Sequence, residues 1–411
     1  MVAPKLRFKE FDGDWTSKQL GKIIGISSAS RVFKEQWQDS GVPFFRTSDV
    51  VSIFKNKENE KAYISLELFE ELAKKSGKIK QGDLLVTGGG SIGIPYLVPN
   101  DQPLYFKDAD LLWMKSSGIV EGSFLYNFFI SPKFREYLKS ISHTGTISHF
   151  TIEQAKATPF GFPSKEEQTK IASFLSAVDE KISQLTQKHQ LLSQYKQGMM
   201  QKLFSQQLRF KADDGSEFGE WEEKILKDLF PKIRNGFVGV ATPYYVNYGV
   251  KYLQGKNIKN GKIDATGLIF INQEFHQKKT NSILKTNDIL MVQSGHVGEC
   301  AVVTEDYDNA NCHALLVLSP KSSKLINSKF VVYYFYSEIG KKKIALIKTG
   351  NTIEHILASD IKEVALLFPC LAEQTKIANF LSAIDQKIEV VAQQIEQAKT
   401  WKKGLLQQMF V

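Results

Sequence analysis

The sequence predicts an α+β protein with two pseudo-symmetric globular domains separated by two long antiparallel coiled-coil helices. Three observations predict this fold, and the first two are an internal repeat that covers the whole chain and a sustained heptad pattern at the end of each copy. A third is that short β-rich runs and turns fill the rest of each copy. At 411 residues the chain is long enough for several domains of ordinary size.

The repeat is strongest at the end of each half of the chain. Residues 163–204 lie over residues 369–410 without a gap, and 19 of the 42 positions are identical. The same offset of 206 residues brings Trp15 onto Trp221, so each copy begins just before a tryptophan. The segments between these anchors keep their order but have diverged. Because two copies of an enzyme usually need the same catalytic residues, this divergence favours a pair of binding modules.

Apolar residues follow a heptad pattern through each copy of the conserved segment. One apolar seam on a helix needs a partner, and the simplest partner is the other copy in the same chain. Because the first helix ends where the second globular domain begins, the two helices are expected to run antiparallel. His189, Lys196 and Lys402 are polar interruptions of the pattern. The predicted coiled-coil and docking residues are Gln168, Ile171, Leu175, Val178, Ile182, Gln374, Ile377, Leu381, Ile384 and Ile388.

These patterns divide the chain into four segments. Residues 1–150 and 213–356 are predicted to form the globular domains. Residues 151–212 and 357–411 are predicted to form the helical segments. At about 1.5 Å per residue, a helix of about 40 residues would extend roughly 60 Å, with one globular domain expected at each end.

Each globular domain contains a predicted strand and a predicted helix. Asp83 to Thr87 and Asp288 to Val292 are β-rich runs. Phe124 to Leu138 and Phe330 to Ile344 are apolar-aromatic helical stretches. Core packing is the favoured role of these rings, and base stacking is the alternative. The strand order does not follow from the sequence.

The composition favours a soluble protein with a polyanionic partner. The net charge is +9, from 53 Lys and Arg against 44 Asp and Glu. No window of about 18 apolar residues could cross a bilayer, and the N-terminus resembles neither a secretory signal nor an anchor, so a cytoplasmic location is expected. Cys300, Cys312 and Cys370 lack the spacing of a zinc site and are interpreted as buried thiols.

Motifs for chemistry are weak in this sequence. The glycine-rich run at 88–93 lacks the Gly-Lys-Ser/Thr of a phosphate-binding loop, which disfavours nucleotide binding. It is either a plain tight turn or a tip that approaches DNA. His149 and His355 share one repeat position, and either a structural hydrogen bond or a DNA contact would explain them. We find no methyltransferase, nuclease or metal-site motif, and therefore predict no cofactor, no metal and no catalytic residue.

The most specific residues lie in the run Glu167 to Ala172 (EQTKIA), followed by Asp179, Lys181 and Ile182. Their counterparts are Glu373 to Ala378, followed by Asp385, Lys387 and Ile388. With the two divergent domains, this arrangement closely resembles the specificity subunit of type I restriction-modification systems, and the resemblance covers the whole chain.

The resemblance implies that each divergent domain is a target-recognition domain that reads one half of a split double-stranded DNA site. It also implies that the helices set the spacer between the halves and dock two methyltransferase subunits, on which restriction subunits assemble. The assembled enzyme would methylate adenine with S-adenosylmethionine, or cleave unmodified DNA with ATP. The chain itself would be non-catalytic.

Candidate DNA contacts are polar residues in the divergent loops, since Lys and Arg bind phosphates while Asn, Gln, Ser and Thr read groove edges. The alternative for each residue is an ordinary polar surface position. The candidates are Arg31, Arg46, Thr47, Thr87, Ser91, Thr144 and Thr146 in the first copy, and Lys256, Asn257, Gln293, Ser294, His296, Lys348 and Asn351 in the second.

Two other classes of function remain open from the residues alone. A self-sufficient restriction enzyme would show Mg²⁺-dependent cleavage by the isolated chain. A coiled-coil scaffold whose globular ends bind proteins would give no DNA protection in footprinting. The DNA target depends on loop geometry and groove shape, which the sequence does not reveal.

Overall fold

The computed structural model describes residues 3–107, 110–141, 149–350 and 354–411. The chain forms two compact units. The first comprises Met1–Thr186 and Gln393–Val411, and the second comprises Gln187–Ala392. Each long helix therefore contributes its two ends to different units.

The first unit contains short strands and helices, followed by the first long helix. The strands are β1 (Thr16–Gln19), β2 (Ile26–Ser27), β3 (Val42–Phe45), β4 (Ala62–Ile64), β5 (Leu84–Thr87), β6 (Pro95–Leu97), β7 (Tyr105–Phe106), β8 (Leu111–Met114) and β9 (Pro159–Phe162). The helices are α1 (Thr47–Phe54), α2 (Leu66–Ser76), α3 (Gly122–Ile130), α4 (Pro132–Ser140), α5 (Ile152–Ala157) and α6 (Lys165–Phe204).

The second unit has a similar order with additional short strands. Its strands are β10 (Glu222–Ile225), β11 (Lys232–Asn235), β12 (Tyr245–Val246), β13 (Val250–Leu253), β14 (Ile258–Lys259), β15 (Lys262–Ile263), β16 (Ile269–Ile271), β17 (Ile289–Val292), β18 (Cys300–Val302), β19 (Asn311–Cys312), β20 (Leu315–Ser319) and β21 (Ala365–Phe368). Its helices are α7 (Leu226–Leu229), α8 (Gln273–Lys278), α9 (Ser328–Tyr336), α10 (Glu338–Leu346), α11 (Ala358–Lys362) and α12 (Leu371–Met409).

The two domains contain corresponding sheets, although their sequences have diverged. The four-stranded sheet has the order β2-β8-β5-β6 in the first unit and β11-β20-β17-β18 in the second. A second sheet joins a parallel pair, β3 with β7 and β13 with β19, to one or two antiparallel neighbours. A two-stranded ribbon, β1-β9 or β10-β21, connects the entry of each domain to the strand before its long helix. The predicted strands correspond to β5 and β17, which are fully buried.

The apolar-aromatic stretch is two helices in each domain, where the sequence analysis predicted one. α3 ends at Ile130, and the next residue, Ser131, caps α4, because its hydroxyl oxygen accepts the Phe134 backbone N–H. Pro132 occupies the first turn of α4. Ser337 caps α10 in the same way. The rings of these helices are mostly buried in the domain cores, as the core-packing interpretation predicted.

In the first unit, the end of α12 packs antiparallel against the start of α6. Lys402 Nζ lies 2.6 Å from Asp179 Oδ1. Val411 lies against Gly161, just ahead of α6, with its Cγ2 atom 2.7 Å from the position that a Cβ on Gly161 would occupy. The start of α6 and the end of α12 therefore run in opposite directions.

In the second unit, the end of α6 packs antiparallel against the start of α12. Lys196 Nζ lies 2.6 Å from Asp385 Oδ1. The Phe204 ring at the end of α6 lies 5.5 Å from the Phe330 ring, which in turn lies 5.5 Å from Phe368, just ahead of α12. The predicted antiparallel helices are thus confirmed in both units.

All three cysteines were predicted to be buried, and the structure confirms this for two of them. Cys300 and Cys312 are buried within the second unit, and burial raises the pKa of both thiols, that of Cys312 to about 12. Cys370 is exposed, so the prediction is wrong there, because this residue lies in the short connection between β21 and α12. Among the described residues, no helix combines the length and apolar character needed to span a membrane.

Candidate nucleic-acid interface

A buried glutamate fixes the entry of the first domain to its long helix. Glu167, in the first turn of α6, is only 1% exposed. Its carboxylate accepts hydrogen bonds from the Arg7 guanidinium at 2.7 Å and from the Trp15 indole at 3.4 Å. The hydrogen bond to Glu167 raises the pKa of Arg7. The tryptophan and the EQTKIA run, which the sequence repeat singled out, therefore belong to one structural contact.

The second unit repeats this contact. Glu373 is fully buried and accepts from Arg209 at 2.9 Å and from the Trp221 indole at 3.0 Å. The sequence comparison found the glutamates and tryptophans but missed Arg7 and Arg209. The arginines are 202 residues apart, so a four-residue shift relative to the main repeat hid their correspondence.

The adjacent glutamines, predicted as docking residues, are anchors inside each unit. Gln168 donates to the backbone oxygens of Ile119 and Pro163, and it accepts the Glu121 backbone N–H. Gln374 makes the corresponding bonds with Leu325, Pro369 and Asn327. Both side chains are buried, which corrects the prediction that they dock a partner.

The glycine-rich run of the first domain forms the tip of the hairpin between β5 and β6. Gly90 and Gly93 have φ values of +68° and +69°, a region that favours glycine. Gly93 N–H donates to Thr87 O at 2.7 Å, which closes the turn. A Cβ on Gly93 would lie 2.7 Å from Leu138 Cδ1, so this glycine also allows the tip to pack on α4. The tip presents Ser91 as an exposed side chain.

The second domain has a tip of the same backbone design between β17 and β18. Gly295 and Gly298 have φ values of +84° and +93°, and Gly298 N–H donates to Val292 O at 3.0 Å. His296 occupies the position of Ser91 and is exposed. The two domains therefore share one tip backbone that presents different side chains.

The paired histidines lie beside these tips. His149 forms an isolated β-bridge with Gly89, and His355 forms one with Ser294. Both histidines are exposed. Their backbone role is thus structural, while their side chains remain available to a ligand, so both interpretations of this position stand.

Other polar groups surround the first tip. Thr47 Cγ2 lies 4.0 Å from the position of a Cβ on Gly90, and the Thr47 hydroxyl donates to Asp110 O. The Arg135 guanidinium donates to Ile92 O at 3.2 Å, and burial lowers its pKa. Arg135 was not among the candidates predicted from the sequence, because it lies in a stretch assigned to the core. Its repeat position is that of Lys341, within a lysine run.

The candidates of the first domain have different surroundings. Thr47 and Ser91 lie at the tip, whereas Arg31 is exposed with its guanidinium 5.2 Å from the Phe33 ring centroid. Arg46 pairs with Asp49 at 2.9 Å, and this hydrogen bond raises its pKa. Thr87 is fully buried, and its hydroxyl forms hydrogen bonds with the tip backbone. The prediction that Thr87 contacts DNA is therefore wrong. Thr144 and Thr146 lie outside the described residues.

In the second domain, Gln293 is half-buried and Ser294 is exposed, and both belong to the tip with His296. Lys348 forms an ion pair with Glu354 at 2.8 Å, next to the backbone pair of Thr349 and His355. Lys256 is exposed. Asn351 lies outside the described residues.

The structure corrects the prediction that Asn257 contacts DNA. Its side chain is fully buried, accepts the Gln254 backbone N–H at 3.0 Å and donates to Asp264 O. Asp49 accepts the Arg46 backbone N–H in the same way in the first domain. Asn257 therefore closes a turn and is not available to a base.

Comparison with known proteins assigns the family. The model of the type I restriction modification DNA specificity domain matches residues 12–194 and 219–400, which is most of the chain in two copies. This protein belongs to the family of type I restriction-modification specificity subunits. Such subunits are the non-catalytic components of their systems.

Two similar proteins are named as type I restriction enzyme specificity subunits. The putative type I restriction enzyme MjaX specificity subunit of Methanocaldococcus jannaschii is 26% identical over 414 residues, covering 98% of this chain and 94% of the relative. The MjaVIII specificity subunit of the same organism is 28% identical over 291 residues, covering 69% and 68%.

Solved structures agree in fold. The S subunit from M. genitalium has a TM-score of 0.59 at 16% identity and covers 100% of this chain and 99% of its own. The subunit from Thermoanaerobacter tengcongensis has a TM-score of 0.52 at 16% identity, covering 96% of each. At this identity the likeness supports the fold alone.

The remaining predicted docking residues of this specificity subunit face inward. Six of them are buried in the domain cores with the long helices: Ile171, Leu175, Val178, Ile377, Leu381 and Ile384. Ile182 and Ile388 are partly buried against the same cores. Their coiled-coil role stands, but the structure corrects their docking role, because a partner would have to contact the outer faces of the helices.

Proposed function

We propose that each globular domain reads one half of a bipartite double-stranded DNA site through its hairpin tip. The domain boundaries that we propose are those of the sequence analysis, residues 1–150 and 213–356, joined by the helical segments. The observation that carries the proposal is the shared tip backbone with different exposed residues, Ser91 in one domain and His296 in the other. A constant scaffold with variable side chains suits two domains that read different half-sites.

Several neighbouring groups support a DNA-binding role for the tips. Exposed histidines, His149 and His355, flank them. Arg135 adds a guanidinium that, within the described residues, has no carboxylate at ion-pair distance. Such a cation beside a tip without bulky side chains suits a phosphate, and phosphate contacts fix the register of a protein on DNA.

The long helices are proposed to set the spacer between the half-sites. α6 has 40 residues and α12 has 39, so each extends about 60 Å. Their outer faces are proposed to dock two methyltransferase subunits, on which restriction subunits assemble. We also propose that the chain acts in the cytoplasm, where it would meet the proposed DNA site and the proposed partners.

A reciprocal exchange at the tip tests the reading role. The variants Ser91→His and His296→Ser place each tip residue on the other domain, and both positions are exposed, so folding should be unaffected. A host that carries the chain and its methyltransferase partner is analysed by methylome sequencing. Each variant should change one half of the methylated site and leave the other half and the spacer unchanged.

Ser17→His on β1 is the matched control, because it introduces the same side chain at an exposed position away from the tip residues. This control should retain the original site. An unchanged methylation motif in both tip variants would contradict reading by the tips. If the wild-type assembly shows no sequence-specific, salt-dependent binding to DNA, the proposed function as a whole would be contradicted.

A further inference from the structure

A planar polar side chain held by an aromatic residue lies next to the hairpin tip of the second domain. Gln254, which was not among the candidates predicted from the sequence, is partly exposed, and its Nε2 atom donates to the Tyr245 hydroxyl at 3.1 Å. Within the described residues, the Gln254 side chain forms this hydrogen bond and no other. The amide is thus held in one orientation, while most of its hydrogen-bonding capacity is not used inside the chain.

The first domain has a similar pair at the equivalent positions. The Arg46 guanidinium lies over the Trp37 ring, 5.6 Å from its centroid. Trp37 and Tyr245 are 208 residues apart, and so are Arg46 and Gln254. The sheets support this correspondence, because Arg46 directly follows β3 and Gln254 directly follows β13, the strands that each pair with a parallel neighbour. An aromatic residue therefore holds a planar polar group at the same place in both domains, although the group itself differs.

Both planar groups lie beside the hairpin tips. The residue after Arg46 is Thr47, whose Cγ2 atom lies 4.0 Å from the Cβ position of a glycine in the first tip. The residue after Gln254 is Gly255, and a Cβ there would lie 3.5 Å from Cγ1 of Val292, which ends the strand that leads into the second tip. A DNA groove that receives a tip is therefore close to the planar group of the same domain.

A turn with the same hydrogen bond fixes the backbone at each position. Asp49 accepts the Arg46 backbone N–H at 2.8 Å, and Asn257 accepts the Gln254 backbone N–H at 3.0 Å. Asp49 also accepts from Arg46 Nε at 2.9 Å, and Arg46 Nη2 donates to Asp49 at 3.3 Å and to Glu60 O. Arg46 Nη1 forms no hydrogen bond within the described residues, and the Arg46 side chain is 20% exposed. A side chain that is already oriented loses less entropy on binding.

The hydrogen-bonding groups that remain differ in kind between the two domains. Arg46 Nη1 only donates hydrogen bonds, and in the major groove guanine presents two acceptors, O6 and N7. Gln254 retains one Nε2 hydrogen as a donor and Oε1 as an acceptor, and adenine presents the matching acceptor N7 and donor N6. The two side chains therefore suit two different purines.

We propose that this place is a second base-reading position in each domain, where Gln254 contacts an adenine of one half-site and Arg46 contacts a guanine of the other. Tyr245 and Trp37 are positioning residues, because they hold the planar groups that contact the bases. This inference rests on the proposed function, since it names residues by which two DNA-reading domains select a base.

The test uses the full-length chain with its methyltransferase partner in a host that is analysed by methylome sequencing. Gln254→Ala removes the amide but retains the backbone hydrogen bond to Asn257. The half-site read by the second domain should lose roughly tenfold of its preference for adenine at one position. All other positions and the spacer should remain unchanged. Gln277→Ala, the same substitution at an exposed position of this domain, is the matched control and should keep the original site.

Two further variants separate base reading from a structural role. Tyr245→Phe keeps the ring but removes the hydroxyl that holds Gln254, so it should weaken the same adenine preference by a smaller factor without lowering the melting temperature. This variant keeps the test decisive if Gln254→Ala is unstable. Arg46→Lys keeps the positive charge but lacks the planar guanidinium, so it should relax the preference for one guanine in the other half-site.

An unchanged methylated site in both Gln254→Ala and Tyr245→Phe would overturn the inference. Relaxation at a base pair other than adenine with thymine in the Gln254→Ala site would also overturn it. Weaker methylation of an unchanged site by a stably folded Gln254→Ala or Arg46→Lys variant would do so as well, because that side chain would then contact phosphate. If the wild-type chain and its partner methylate no bipartite site, the proposed function fails instead.

Discussion

Lys402 on α12 forms an ion pair with Asp179 on α6, with Nζ 2.6 Å from Oδ1. The repeat contains the same pair with the helices exchanged, because Lys196 on α6 pairs with Asp385 on α12, also at 2.6 Å. The lysines that interrupt the heptad pattern are thus the partners of conserved aspartates in the other copy. Such polar pairs in a helical seam fix one register over its alternatives.

The first prediction concerns the pair in the second unit. Lys196→Met and Asp385→Asn should each lower the stability to urea, and a double-mutant cycle should give a coupling energy of about 1 kcal/mol, because both groups are partly shielded from solvent. Asp385 also accepts a hydrogen bond from Tyr333 at 2.7 Å. Lys188→Met, at an exposed position of α6, should have little effect. Additive single effects would contradict the coupling.

The second prediction concerns the buried glutamate contact. Glu167→Gln removes the charge that holds Arg7 and should cost about 2 kcal/mol of unfolding free energy in the first unit. Glu166→Gln is the matched control, since Glu166 is adjacent but exposed. Urea unfolding followed by tryptophan fluorescence compares the two, because Trp15 contacts the same carboxylate. If both variants unfold at the same urea concentration, the contact of Glu167 does not stabilise the first unit as predicted.

The third prediction concerns the tip of the first domain. Gly93→Ala should destabilise this domain by about 1–3 kcal/mol. Its φ of +69° disfavours alanine, and the new Cβ would crowd Leu138 on α4. Gly118→Ala serves as the control, since Gly118 has open space and no positive φ. Thermal unfolding measures both, and a stable Gly93→Ala variant would show that the tip can move away from α4.

The fourth prediction concerns thiol reactivity. Cys370 should react rapidly with a maleimide or a disulfide reagent at pH 8, because its thiol is exposed. Cys300 and Cys312 should react only on unfolding, since burial raises their thiol pKa and excludes the reagent. Mass spectrometry of labelled peptides with and without urea measures this. Rapid labelling of Cys312 in the folded chain would indicate opening of the second domain.

The sequence was most informative where the two copies are alike. The tryptophans, the EQTKIA run and the heptads predicted the repeat, the helices and their antiparallel pairing, because these contacts recur at one offset. It was least informative about individual DNA contacts. Thr87 and Asn257 are polar residues in divergent segments, like Ser91 and His296, yet their side chains are buried and satisfy backbone groups. Composition alone does not distinguish a polar group that closes a turn from one that faces a ligand.

By itself, the sequence determined the duplication, the long helices and the family resemblance, since periodicity and identity are properties of the chain that need no coordinates. The tertiary structure decided the strand order, the break between α3 and α4, and the inward orientation of the conserved helix positions. It also brought Arg7 to Glu167 across 160 residues and showed that the two tips share one backbone conformation at their glycines. These features depend on which groups meet after folding, and burial then determines which polar side chains remain free to bind.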